Sequence, residues 1–276
     1  VNYARGRQVH KTGLRGIGHK VPAVNHPHNG NIFKEFFMNI QTIFDAKENL
    51  ELIEMFKRLR VTDIRDGMDW MGYHHYGTVD YEYRPLFRPE ATVIGIARTA
   101  RYIPYEGPVP GLTPEEYTKW TAMYYREICR YPWSKEIVPG DFICLDIAGL
   151  DVGLMGSNNT LGCVKKGAVG FILNGGGIRD TDECILEKLN VWSRFISQPM
   201  DQARIRYAEK DIPVAIGGVA VYPGDVVAGD GDGVIVVPRK IAKDVAKYAW
   251  QEASADKKSR KQLYVDMGME LDNTVE

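Results

Sequence analysis

Two short stretches of the 276-residue chain combine residue types that can hold an anion and a cation side by side. The first is Leu154-Met155-Gly156-Ser157-Asn158-Asn159-Thr160, a small polar loop placed to feed a helix. N–H groups at a helix start lack intrahelical partners, and with the helix dipole they favour a carboxylate or phosphate. The second is Asn174-Gly175-Gly176-Gly177-Ile178-Arg179-Asp180-Thr181-Asp182-Glu183, a glycine turn that follows an apolar run. It lifts an Arg-Asp pair to a strand end, where open α/β sheets build their sites. Arg179 offers a planar fork for a carboxylate. Asp180 can hold a hard divalent cation, and such a cation polarises a carbonyl and stabilises an enolate. Asp182 and Glu183 add negative charge nearby. A plainer role fits the same spacing: Asp180 or Thr181 caps a helix and Arg179 makes a surface ion pair. The bare motif leaves both open.

The elements that must position these residues follow from periodicity. Apolar residues recur at helical spacing over 32–44 and 50–59, and Thr62 or Asp63 suits a helix start. Strands are expected at 92–99, 141–146, 168–173, 212–221 and 234–237, with short helices after Asn158 and Arg179-Asp180. A terminal helix is expected from about Arg239 to Val265, with Ile241, Val245, Tyr248 and Ala249 inward. Strands alternating with helices predict an α/β fold. We expect an N-terminal arm over 1–48, a catalytic core over 49–238 and a C-terminal helix and tail over 239–276. The segment 102–139 is an aromatic insertion with a helix over 114–130. In it Tyr117, Trp120 and Tyr124 share one face, which either packs on the core or a neighbouring subunit or lids the site.

Other features narrow the function. Lys plus Arg is 35 against 36 Asp plus Glu, so no basic excess points to nucleic acid. No apolar run approaches membrane length, and the expected compartment is the cytoplasm; a leader ahead of Val1 would lie outside this sequence. Cys129, Cys144, Cys163 and Cys184 form no C-x-x-C pair and read as buried thiols. His10, His19, His26 and His28 lack cysteine or carboxylate partners at ligand spacing, and His74-His75 reads as a pocket rim or core edge. Gly229–Gly233 precedes a strand and reads as a hairpin turn, not a calcium loop. Gly217-Gly218 reads as close packing or a bulge. Neither a dinucleotide fingerprint nor a Walker loop is present, and no glycine-rich nucleoside loop follows the first strand, which disfavours a methyltransferase.

The ordered set Thr62-Asp63-Ile64-Arg65-Asp66-Gly67-Met68, Gly140-Asp141, Asp146, Gly156, Gly176, Arg179-Asp180, Glu183, Gly217-Gly218-Val219, Pro223-Gly224-Asp225 and Asp232-Gly233-Val234 resembles the RraA-like family. That family includes class II 4-hydroxy-4-methyl-2-oxoglutarate/4-carboxy-4-hydroxy-2-oxoadipate aldolases and the RNase E regulator RraA. The resemblance covers about Arg60 to Gly268. It implies an α/β/β/α sandwich, a homotrimer or homohexamer, and a site between subunits. It implies that Asp180 binds Mg²⁺ or Mn²⁺, or another divalent cation. It further implies that Arg179 positions a small-molecule substrate, and that Gly156, Ser157, Asn158, Asn159 and Thr160 receive its pyruvyl carboxylate. Glu183 and Asp256 are candidates for a supporting shell, Asp256 reaching a neighbouring subunit's site.

Three departures stand out. Many relatives carry Asp or Glu directly after the loop glycine, where it assists metal-bound water; here Ser157 stands there, followed by Asn158 and Asn159. The spacing from Gly156 to Arg179 is about one residue long, and the arm and aromatic insertion are larger than the family pattern. The function implied is a divalent-metal-dependent lyase, an aldolase or a decarboxylase, acting on a 2-oxo acid through an enolate. The alternative is a non-catalytic regulatory or binding protein of the same family.

Overall fold

The computed structural model describes residues 46–275. The predicted helix over 32–44, the four N-terminal histidines and nearly all of the expected arm lie outside the described residues.

The apolar runs become strands buried on both faces. Phe142-Ile143-Cys144-Leu145 has no exposed member, as expected for the middle of a sheet covered on each side. The elements are α1 (Ala46–Phe56), α2 (Val61–Trp70), β1 (Arg84–Pro85), β2 (Val93–Pro104), α3 (Pro114–Glu127), β3 (Asp141–Asp146), α4 (Ser157–Val164), β4 (Gly170–Asn174) and α5 (Thr181–Leu186). They continue with β5 (Val191–Ser193), β6 (Ile205–Lys210), β7 (Val214–Ile216), β8 (Val219–Val221), β9 (Val226–Asp230), β10 (Gly233–Val237) and α6 (Ala242–Met267). The main sheet runs β1-β5-β4-β3-β2-β9-β10, with β6 pairing the end of β2; β7 and β8 form a separate hairpin. Strands β2 to β5 are parallel neighbours, whereas β9, β10, β1 and β6 pair antiparallel.

Alternation along the strands sorts the core into three layers. Phe142, Cys144, Ile172, Trp192, Val227, Val234 and Val236 face inward onto Val214, Ile216, Val219 and Val221 of the hairpin. Outward, Ile94, Ile96, Val226, Ala228, Ile235 and Val237 pack on α1, α2 and α6. The outward residues Ile143, Leu145, Phe171 and Leu173 pack with Tyr124, Trp133, Cys163 and Cys184. The sheet therefore curls over its own interior into a near-barrel between helical layers, giving the predicted mixed α/β architecture with a C-terminal helix. In α6 the buried residues are Ala242, Val245, Ala246 and Ala249, while Tyr248 is only half-buried. All four cysteines are buried and free. Among the described residues no helix is long and apolar enough to cross a membrane.

Several elements differ from the sequence expectation. The run 212–221 is two strands folded back at Gly217-Gly218, with Val214 opposite Val221; the pair is a hairpin turn rather than a bulge, and the close packing expected there holds at Gly217, where a Cβ would lie 2.5 Å from Val79 Cγ1. Arg60, not Thr62 or Asp63, occupies the helix-start position of α2; Asp63 accepts a hydrogen bond from the Arg60 backbone N–H at 2.8 Å. His74 and His75 are exposed. The Gly229–Gly233 turn joins β9 to β10 as expected, with Asp230 opposite Gly233.

Candidate functional site

Strands β3 and β4 run parallel and end together at Asp146 and Asn174. The two loops that leave them build the site. The Asn174 amide donates to Asp146 Oδ1 at 2.8 Å, and the Tyr83 hydroxyl donates to Asn174 Oδ1 at 2.8 Å, which ties the strand ends. Beyond them the loops pair: the Met155 N–H donates to the Gly177 carbonyl at 2.7 Å and the Arg179 N–H to the Met155 carbonyl at 3.0 Å. This pairing brings the Gly156 loop against the Arg-Asp pair across 23 positions of sequence.

Asp180 takes a left-handed backbone, φ 56° and ψ 45°, as it enters α5. Asp tolerates that region better than most residues, and strained positions of this kind gather at functional sites. Asp180 Oδ2 lies directly over Gly156. A Cβ at position 156 would overlap that oxygen, and one at Gly153 would lie 2.7 Å from Arg179 Cδ. The two glycines are the floor on which the pair rests. Arg179 Nε donates to Asp180 Oδ1 at 3.2 Å. The two terminal guanidinium nitrogens of Arg179 have no partner among the described residues, so they are available to a ligand.

Arg179, Asp180, Gly153, Leu154, Gly156, Asn158 and Asn159 line one cavity of about 220 Å³, completed by Tyr125, Tyr131, Met200 and Asp201. Gly156 precedes α4 with no side chain to cap it, so the first N–H groups of that helix stay open to an anion. Ser157 and Thr160 do not line the cavity, and Thr160 is fully buried. Glu183 is exposed on α5. Asp256 lies on α6 at a second cavity, where Arg60 donates to it at 3.0 Å.

Sequence reasoning missed the opposite wall. Asp201 is 2% exposed. Its Oδ1 accepts from the Tyr125 hydroxyl at 2.6 Å, and its Oδ2 from the Tyr131 hydroxyl at 2.6 Å and the Cys129 thiol at 3.3 Å. Burial first, and then Asp201, push both phenols and the thiol well above their ordinary ranges, so all three stay protonated. The aromatic insertion thus reaches the cavity through Tyr125 and Tyr131. Of the two roles open to the Tyr117-Trp120-Tyr124 face, Trp120 and Tyr124 take the packing one: Tyr124 is fully buried, its hydroxyl donates to the Ile205 carbonyl at 2.5 Å, and the Trp120 and Tyr124 ring centres lie 5.0 Å apart at a tilt of 43°.

Residues 61–236 match the RraA-like family, described as Aldolase/RraA. The chain belongs to the RraA-like family. A protein of Halalkalibacterium halodurans, provisionally named 4-hydroxy-4-methyl-2-oxoglutarate aldolase, is 24% identical over 227 residues, covering 82% of this chain and 94% of that one. The Thermus thermophilus protein named 4-hydroxy-4-methyl-2-oxoglutarate aldolase is 29% identical over 100 residues, covering 36% of this chain and 60% of that one. Among solved structures, Streptomyces coelicolor RraAS2, titled an unusual member of the RNase ES inhibitor RraA protein family, superposes with a TM-score of 0.60. It is 24% identical, covering 76% of this chain and 96% of that one. An uncharacterized Pseudomonas syringae protein superposes with a TM-score of 0.62 at 21% identity, covering 82% of this chain and 96% of that one. These structures support the RraA-like fold; the activity is argued from the site.

Proposed function

We propose that this protein is a carbon–carbon lyase that cleaves 2-oxo acids with Mg²⁺ or Mn²⁺ as cofactor. The observation that carries the reading is the convergence of Arg179, Asp180 and the open start of α4 on one cavity. The aldolase names of its relatives support the same class.

The donor set suits such a cation. Among the described residues no three His, Cys, Asp or Glu side chains group into a cage, which argues against a structural zinc or an all-protein calcium site. Mg²⁺ keeps several waters and binds through one or two carboxylates plus substrate oxygens, and Mn²⁺ favours the same ligands. Asp180, with a side chain 38% exposed, fits that mode as the protein's carboxylate. When bound, the cation would act as a Lewis acid on the substrate carbonyl.

The chain's own residues do the rest. The free end of the Arg179 fork takes a carboxylate in two parallel hydrogen bonds. The N–H groups at the start of α4 hold the oxygens at the other edge of the same acid group, so the pyruvyl unit is fixed in one plane. Tyr125 and Tyr131, neutral and anchored by Asp201, close the far side against water. The reading also includes a trimer or hexamer, to which the exposed apolar side chains Leu161 of α4, Ile185 and Leu186 of α5, and Phe195 and Ile196 after β5 would contribute.

The test is pyruvate release from a panel of 4-hydroxy-2-oxo acids and oxaloacetate, with and without Mg²⁺ or Mn²⁺. Asp180→Asn keeps the shape and removes the charge a hard cation needs, so metal-stimulated release should fall to background while the far-UV spectrum is unchanged. Wild-type rates in that variant would reduce Asp180 to a helix cap, and no release from any compound by the native protein would favour a binding role.

A further inference from the structure

We infer that the cavity selects 2-oxo acids whose distal end is uncharged and carries a hydroxyl donor, and that Asp201, with Tyr125 and Tyr131, is the specificity-determining wall. This rests on Arg179 and Asp180 marking the pyruvyl end.

Proton bookkeeping on that wall leads to the inference. A phenol has one proton to give. The Tyr125 hydroxyl gives its proton to Asp201 Oδ1 at 2.6 Å and already accepts from the Gln202 amide at 2.6 Å. The Tyr131 hydroxyl has two acceptors within reach, Asp201 Oδ2 at 2.6 Å and the Leu154 carbonyl at 3.1 Å. Whichever acceptor takes it, no phenol proton is left for a ligand. Both Asp201 oxygens act only as acceptors, the pattern of an ionised carboxylate. Among the described residues no Lys or Arg lies within ion-pairing distance of it; every partner is a neutral donor. The wall therefore offers a ligand lone pairs and a carboxylate that no cation pairs with directly.

A second carboxylate pressed against this wall would meet like charge and find no donor from Asp201 or the two phenols. Leaving polar groups buried and unmatched is the strongest way a site rejects a ligand. A hydroxyl suits the wall, since it supplies the missing proton without adding charge. The opposite end has the reverse character, with the Arg179 fork and the helix start attracting one anion. The cavity is therefore polarised along its length for a monoanion.

The test uses three 2-oxo acids of similar length that no retro-aldol step can cleave: 5-hydroxy-2-oxopentanoate, 2-oxopentanoate and 2-oxoglutarate. Each is titrated calorimetrically into the whole protein with saturating Mn²⁺. The hydroxyl compound should bind most tightly and 2-oxoglutarate most weakly, with at least about tenfold between them. Asp201→Asn removes the charge and supplies an amide donor, so it should narrow that ratio to about threefold by strengthening 2-oxoglutarate binding. Tyr125→Phe, which frees one Asp201 oxygen for the ligand, should widen it; this second variant serves if Asp201→Asn does not fold. Equal or tighter binding of 2-oxoglutarate overturns the inference, as does 2-oxopentanoate matching the hydroxyl compound or no binding of any of the three at millimolar concentration. The lyase reading fails separately, if the binding order holds and no 4-hydroxy-2-oxo acid releases pyruvate.

Discussion

Gly156→Ala separates the position of Asp180 from the stability of the fold. Gly156 has φ −131° and ψ 179°, extended backbone that alanine adopts without strain. The new methyl meets one neighbour, Asp180 Oδ2, while Asp180 Cγ at 3.4 Å and Arg179 Cγ at 3.6 Å lie at ordinary distance. The oxygen must retreat by about 1 Å to reach normal contact. It sits at the free end of a side chain, so rotation absorbs the overlap at about 0.5–1.5 kcal/mol. Loss of glycine's freedom in the unfolded chain offsets about 0.4–1 kcal/mol of that. The net change is within about 1 kcal/mol, a Tm shift of roughly 2–4 °C.

Activity should respond very differently. A displacement of about 1 Å at the reacting centre costs on the order of 100-fold in rate. The assay is kcat/KM for pyruvate release, with Mn²⁺ affinity by calorimetry as a second reading of Asp180. We expect a loss near 100-fold, weaker Mn²⁺ binding and a nearly native Tm. A kcat/KM within about threefold of wild type would refute the placement of the carboxylate over Gly156 as the functional arrangement. If the Tm falls by much more than roughly 4 °C, the double variant Gly156→Ala with Asp180→Ala should restore it, because the overlap is then gone.

Three further outcomes follow from the same geometry. Arg179→Lys should lose nearly as much kcat/KM as Arg179→Ala, since Lys keeps the charge but not the paired donors; full activity in the Lys variant would show that a diffuse positive field suffices. Burial pushes the Asp225 carboxyl up to about 6, against the lowering effect of the Tyr222 and Arg239 N–H donors. Its folded value lies above the unfolded one, so the folded chain binds this proton more tightly, and the group's contribution to stability is greatest below about pH 4 and is lost as pH rises through about 6. The Tm difference between wild type and Asp225→Asn should therefore shift in favour of wild type from pH 7 to pH 5, and identical pH slopes would remove Asp225 as the cause. Sedimentation should give a trimer or hexamer at micromolar concentration; a monomer would leave a subunit contact through the exposed apolar residues of α4 and α5, and any role for Asp256 in a neighbour's site, without support.

Half of the candidate site was legible because its chemistry is local. Arg179 and Asp180 follow a glycine turn at a strand end, and a strand, a turn and a helix start each leave a mark within ten residues. The chain topology then does what those marks imply, and the Met155 to Gly177 and Arg179 to Met155 hydrogen bonds set the two loops together. The other half carries no such mark. Asp201 sits in Gln198-Pro199-Met200-Asp201-Gln202, between β5 and β6, and β6 is not visible as an apolar run because only Ile205 in it is buried. Only folding brings that carboxylate to Tyr125, 76 positions away. The phase of α3 decides which aromatic does what. Periodicity grouped Tyr117, Trp120 and Tyr124 correctly, but a shared face is buried or open according to what lies opposite, and here Tyr105 meets the Tyr124 ring at 5.3 Å. Tyr125, about 100° further round the helix, carries its hydroxyl to the cavity. An insertion can therefore use one face for stability and the adjoining one for recognition, so that specificity changes here without disturbing the Arg-Asp pair.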